Sequence, residues 1–143
     1  MATPGARLIR AVTAAYAVLL ALLSLLPSGK DVLGGWDQSI TPTLQNAMHV
    51  PAYTGLAVLA MLWLVPPGRP LLPRALWIAL GCTAYGLLME VGQAYTPGRT
   101  GGASDAMLNA AGAAIGILAY AAAVRLLHPR QPAPAGGRMS GTT

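Results

Sequence analysis

Two carboxylates, two carboxamides, an imidazole and a phenol stand out in a chain of 143 residues of which only 9% are charged. Glu90 is followed at i+3 by Gln93, a spacing that puts both on one face of a helix. Asp105 is followed at i+4 by Asn109, and His49 at i+4 by Tyr53, so each pair also shares a helical face. Glu90 is the natural proton-labile centre, able to act as a general acid or base if it is positioned beside a reacting group. Gln93 and Asn109 can orient what it acts on. Arg99, between the two acidic residues, brings a cation able to neutralise either carboxylate or to contact an anionic ligand. Glu90, Arg99 and Asp105 are therefore the candidate catalytic residues, and His49, Tyr53, Gln93 and Asn109 the candidate ligand-binding residues.

The elements that carry these side chains are apolar. Hydrophobic residues make up 55% of the chain and charged residues 9%, against roughly 25% charged in an ordinary soluble domain. They gather in four blocks, at about residues 8–26, 48–65, 75–95 and 105–127. Each block has the roughly 17–25 residues a helix needs to cross a bilayer, and none shows the alternation of a membrane strand. The expected fold is all-α: a membrane domain over residues 1–127 with four transmembrane helices, then a Pro- and Gly-rich, disordered tail over 128–143. Arg7 and Arg10 precede an apolar stretch as in a signal peptide, but no small-residue cleavage site follows, and an uncleaved helix is expected.

Charge then orients the chain. With the N-terminus in the cytoplasm, Arg7, Arg10, Arg69, Arg74, Arg125, Arg130 and Arg138 all fall inside, and only Lys30 and Arg99 outside. Excess basic residues mark cytoplasmic segments, so both termini are expected there. The four acids, Asp31, Asp37, Glu90 and Asp105, gather toward the external side, with Trp36 as an interfacial anchor. The net charge of +5 serves this orientation; nothing in the sequence interleaves basic and aromatic residues as a nucleic-acid surface does. Cys82, the single cysteine, falls in an apolar run and reads as a small buried hydrophobe.

Structural roles compete for several of these residues. Ser104 could cap the last helix, with Asp105 in its first turn where the helix dipole favours negative charge. Gly112 and Gly116 continue the Asp105 stripe as helix-packing positions, and Gly101-Gly102 reads as a hairpin link. His49 and Tyr53 could be interfacial residues, and Glu90 with Arg99 a structural ion pair. Metal coordination by His49, Glu90 and Asp105 lacks any ligand-spacing motif, and neither metal nor cofactor is expected.

Taken together, E-x-x-Q at Glu90 and Gln93, P-G-R ending at Arg99, S-D at Ser104 and Asp105, and N-x-x-G-x-x-x-G from Asn109 to Gly116 form a pattern. It resembles the signature of VanZ-like membrane proteins, and His49 to Tyr53 is similar to that family's His-x-x-x-Tyr element. The likeness covers about residues 45–120. Where that family often carries an Asp-Lys pair ahead of the histidine, this chain has Gln45 and Asn46. The resemblance implies a bacterial inner-membrane protein of the cell envelope, since the family's namesake is linked to low-level resistance to the glycopeptide teicoplanin. It implies no settled chemistry. The expected function is a polar, external-leaflet pocket that binds or acts on a lipid-linked or peptide-like envelope molecule. A non-catalytic binding or assembly module is the second class. A small transporter is the third, although the chain shows no repeated halves and its charge lies toward one face.

Overall fold

A computed structural model of the chain describes residues 3–27, 42–65, 71–96 and 102–127. They form four helices: α1 (Pro4–Leu25), α2 (Pro42–Leu64), α3 (Leu71–Ala94) and α4 (Ala103–Leu127). All four are long and apolar enough to cross a membrane. They start at residues 4, 42, 71 and 103, ahead of the apolar blocks at 8, 48, 75 and 105. In α1, α2 and α4 these extra residues are mainly not apolar, as a first helical turn allows, and in α3 Pro73 and Arg74 separate Leu71 and Leu72 from the apolar block. Thr3 caps α1 by accepting a hydrogen bond from the Ala6 amide at 3.3 Å, and Pro4 supplies a first-turn residue with its backbone angle already set. The loop bearing Asp31, Trp36 and Asp37, the link bearing Arg99, and the tail from 128 to 143 lie outside the described residues.

Burial is reversed relative to a soluble bundle. Leu72, Trp77, Leu118 and Leu126 are each at least 66% exposed, whereas Glu90, Gln93, Asp105 and Asn109 are all buried. An apolar exterior of this extent on every helix suits lipid. Hydrophobicity gives little force for helix association in such a solvent, so close approach and polar contacts must supply it.

Close approach is greatest between α2 and α4. A Cβ on Gly112 would lie 2.5 Å from the Val50 carbonyl oxygen, and one on Gly116 2.5 Å from that of Thr54. Glycine alone lets the backbones come this near. The Thr54 hydroxyl uses the proximity, donating to the Gly112 carbonyl at 3.0 Å. Hydroxyl-to-carbonyl bonds recur across the bundle: Tyr16 to Ala52 at 3.1 Å, Tyr85 to Ala17 at 2.5 Å, and Tyr120 to Val65 at 2.8 Å. Each gives a phenol buried among apolar groups the acceptor it needs. α1 is peripheral and buries only Thr13. The apolar core runs through Leu56, Ala57, Met61, Ile78 and Ala113.

Candidate functional site

The end of the bundle formed by the start of α2, the finish of α3 and the start of α4 is where the polar side chains gather. α3 finishes in a tight turn: the Tyr95 and Thr96 amides donate to the Gly92 and Gln93 carbonyls at 3.1 and 2.9 Å. The Thr96 hydroxyl adds a bond to the Gly92 carbonyl at 3.0 Å. α4 begins just after Gly102, whose carbonyl accepts from the Asp105 and Ala106 amides at 3.1 and 3.3 Å. Gly102 thus stands where Ser104 was expected as the cap. Ser104 lies inside the first turn and donates to Asp105 Oδ1 at 3.3 Å instead.

Asn109 is the hub, only 1% exposed. Its Oδ1 lies 2.8 Å from His49 Nδ1, and its Nδ2 donates to Glu90 Oε1 at 3.5 Å. The other carboxylate oxygen of Glu90, Oε2, accepts from the Gly102 amide at 3.0 Å. Three helices are therefore tied through one carboxamide. Its orientation follows from the chemistry of its neighbours. An ionised Glu90 can only accept, so the NH2 group must face it and the carbonyl oxygen must face His49. The same logic assigns the histidine tautomer: Nδ1 carries the hydrogen that Asn109 accepts, which leaves the Nε2 lone pair available in the neutral ring.

Asp105, buried at 6% exposure in the first turn of α4, joins this group. A ring nitrogen of His49 and carboxylate oxygens of Glu90 and Asp105 all lie within 4.8 Å of one another. Such an arrangement can hold a cation, share protons or grip a polar ligand. Gln93 is buried one turn beyond Glu90 on α3. Tyr53, one turn beyond His49, is 3% exposed, and its hydroxyl has no hydrogen-bond partner among the described residues. That hydroxyl lies within electrostatic reach of Tyr85, Glu90 and Cys82, and its ring sits 6.3 Å from that of Tyr85.

The sequence pattern of the VanZ/LLP1 family matches residues 13–126, which is most of the chain and includes every residue of this cluster. The chain belongs to the VanZ/LLP1 family. Comparison with curated proteins and with solved structures found no match. Membership and the four apolar helices together make this VanZ-family chain a multi-pass membrane protein.

Of the candidate site residues, the VanZ-family fold brings His49, Glu90, Asp105 and Asn109 into one cluster, with Tyr53 and Gln93 beside it. Arg99 lies outside the described residues. Two contributions were not foreseen from the sequence, where Gly102 reads only as part of a hairpin link. Gly102 supplies a backbone amide to Glu90, a role that has no side-chain signature. Gly86 on α3 faces Asn109, and a Cβ there would come within 2.8 Å of Nδ2 and 3.0 Å of the Asn109 Cβ. Its spacing of i−4 from Glu90 was the available signal, since it puts a small residue on the buried face of α3.

An apolar cavity of about 470 Å³ lies elsewhere, between α1, α2 and α3. Ala17, Leu56, Ala60, Trp77 and Tyr85 help to line it, with Arg74 at its edge. Cys82, buried as a thiol, is part of its wall. None of the hydrogen-bonded cluster residues borders this cavity.

Proposed function

We propose that this VanZ-family chain resides in the bacterial cytoplasmic membrane, with both termini in the cytoplasm and its polar end in the external leaflet. There it binds or acts on the polar head of a cell-envelope component, a lipid-linked or peptide-like molecule, and contributes to glycopeptide (teicoplanin) tolerance. The convergence of His49, Glu90, Asp105 and Asn109 at one end of an otherwise apolar bundle carries this reading. Four ionisable or polar groups from three helices are costly in lipid unless they serve each other or a ligand. The proposed orientation draws support from charge. Every described arginine, at positions 7, 10, 74 and 125, belongs to the opposite end of the helices, as the cytoplasmic excess of basic residues would require.

In this reading Glu90 exchanges the proton. Asn109 and the Gly102 amide fix its carboxylate, and His49 shares the same hydrogen-bonded line. Arg99 contacts an anionic group of the ligand, and Gln93 orients it. The test is drug susceptibility in a host carrying the chain at native level. Glu90→Gln and His49→Gln should each abolish the teicoplanin tolerance conferred by wild type while protein level is maintained. Unchanged tolerance in both variants would sink the proposal.

A non-catalytic assembly role is favoured by one observation. The bonds made by Asn109 join α4 to both α2 and α3, so the same cluster could hold the bundle together. If Glu90→Gln and Asn109→Ala unfold the protein in detergent, and tolerance falls only with protein level, the cluster is structural.

A further inference from the structure

Two buried carboxylates and an imidazole from three different helices face each other across less than 5 Å, the largest separation of their donor atoms being 4.8 Å. Like charges that close, away from water, demand a proton or a cation between them. The described basic residues, at positions 7, 10, 74 and 125, all belong to the far end of the bundle. We propose that His49, Glu90 and Asp105 bind one divalent transition-metal ion, zinc being the ion that one imidazole and two carboxylates suit.

The donor chemistry supports this beyond mere clustering. A zinc ion takes imidazole nitrogen and carboxylate oxygen at about 2.0–2.2 Å, so tetrahedral ligand atoms sit about 3.4 Å apart. The cluster needs to close by no more than about 1.4 Å from its widest separation, within the range of side-chain rotation. One dication and two carboxylates with a neutral imidazole give no net charge, the state a low-dielectric site favours. His49 is already set for the task. With Nδ1 donating to Asn109 Oδ1 at 2.8 Å, the ring keeps a lone pair on Nε2 for a metal, and the hydrogen bond that orients a metal-bound histidine is in place. Glu90 is held in turn by the Gly102 amide at 3.0 Å and by Asn109.

An independent observation points to a ligand at this position. The Tyr53 hydroxyl, on a side chain 3% exposed one turn beyond His49, is buried with no hydrogen-bond partner among the described residues, and Glu90 is among the groups that act on it electrostatically. Every other phenol in the core that the structure describes as buried or half-buried has found an acceptor. Three protein ligands leave a fourth zinc position open, and a water or anion bound there would give Tyr53 the partner it lacks.

The test uses the full chain, purified in detergent without an affinity tag, stripped with a chelator and titrated with Zn²⁺ and with Co²⁺. One saturable equivalent per chain is expected, with the intense visible absorption of four-coordinate cobalt. His49→Gln and Asp105→Asn should lose saturable binding, and Asn109→Ala, which removes only the outer support, should weaken it about 10–100-fold. Tyr53→Phe should keep the stoichiometry. Circular dichroism of each metal-free variant checks folding; should the ligand variants unfold, the wild-type cobalt spectrum and stoichiometry decide alone. A wild type that takes up no zinc saturably, or folded His49→Gln and Asp105→Asn variants that bind as wild type does, overturns the proposal. The site is shared with the envelope reading, but the outcomes separate. Stoichiometric zinc with tolerance unchanged in both Glu90→Gln and His49→Gln retains the metal and rejects the envelope role; lost tolerance without zinc does the reverse.

Discussion

Gly112→Ala is the perturbation that most directly links packing to the site, because it removes no polar side chain. The added methyl would stand 2.5 Å from the Val50 carbonyl oxygen and 3.1 Å from the Tyr53 Cβ. Restoring the ordinary 3.4 Å contact to a backbone atom that cannot rotate away opens α2 from α4 by about 0.9 Å. His49 is the residue before Val50, so its 2.8 Å contact with Asn109 would stretch to about 3.7 Å, beyond hydrogen-bond reach. The Thr54 bond to the Gly112 carbonyl, 3.0 Å long, would stretch to about 3.9 Å. Overpacking costs about 1–3 kcal/mol, and each interhelical bond lost in a membrane about 0.6 kcal/mol. The better helix propensity of alanine returns about 0.8–1 kcal/mol. The net is a destabilisation of about 1–3 kcal/mol, read as a lower midpoint in SDS titration of the protein in bicelles, together with lost drug tolerance. Gly81→Ala is the control, since nothing lies within 4 Å of the Cβ built there; it should be neutral or stabilising. If Gly112→Ala behaves like Gly81→Ala in both assays, the argument that glycine sets the α2–α4 spacing is wrong.

Other substitutions probe the cluster itself. Asn109→Ala leaves buried Glu90 Oε1 and half-buried His49 Nδ1 without their partner and should cost at least about 1–3 kcal/mol in the same unfolding assay, the cost of one buried unsatisfied group. Gly86→Ala forces a methyl within 3.0 Å of the Asn109 Cβ and should mimic Asn109→Ala in function; unchanged drug tolerance would show that α3 yields there. Tyr53→Phe removes a buried hydroxyl that lacks a partner among the described residues, so stability should hold or rise while drug tolerance falls, and a loss of stability would reveal a bond the hydroxyl makes. Thr54→Val, by contrast, should lose about 0.6 kcal/mol through its bond to Gly112, measured against wild type in bicelles.

The apolar blocks were plain in the sequence because spanning a bilayer imposes length and hydrophobicity on contiguous residues. Helix starts were less so: Pro42 and Thr43 open α2 without being apolar, and hydropathy does not count a first turn. The polar residues announced themselves by cost, since Glu90 or Asn109 alone in lipid would be unfavourable. Their partners did not. That Asn109 reaches both His49 and Glu90 depends on how three helices cross, which the order of residues in one helix does not encode. Gly102 was hidden for another reason, because its contribution is a backbone amide that any residue but proline could offer. The closeness of His49, Glu90 and Asp105 was hidden likewise: their positions are 41 and 15 residues apart, far from any local ligand motif.

Packing and chemistry in this bundle are not separable in the way they are in a water-soluble enzyme. A soluble core gains its stability from apolar burial, and a polar site can be added at its edge with little effect on the fold. Here the exterior is as apolar as the solvent, so specific association rests on the glycine contacts of α4 and on hydroxyl and carboxamide bonds between helices. Asn109 belongs to both systems. It lies three residues before Gly112 on the face that meets α2, and its length is what lets a short glycine approach be followed, one turn earlier, by a polar bridge to His49 and Glu90. The glycines bring the backbones together, and the space left above them is filled by groups that can hold a proton or an ion. A residue added for catalysis alone would find the helices already too close; one added for packing alone would leave Glu90 unmatched. The α2–α4 contact thus sets the geometry of the site.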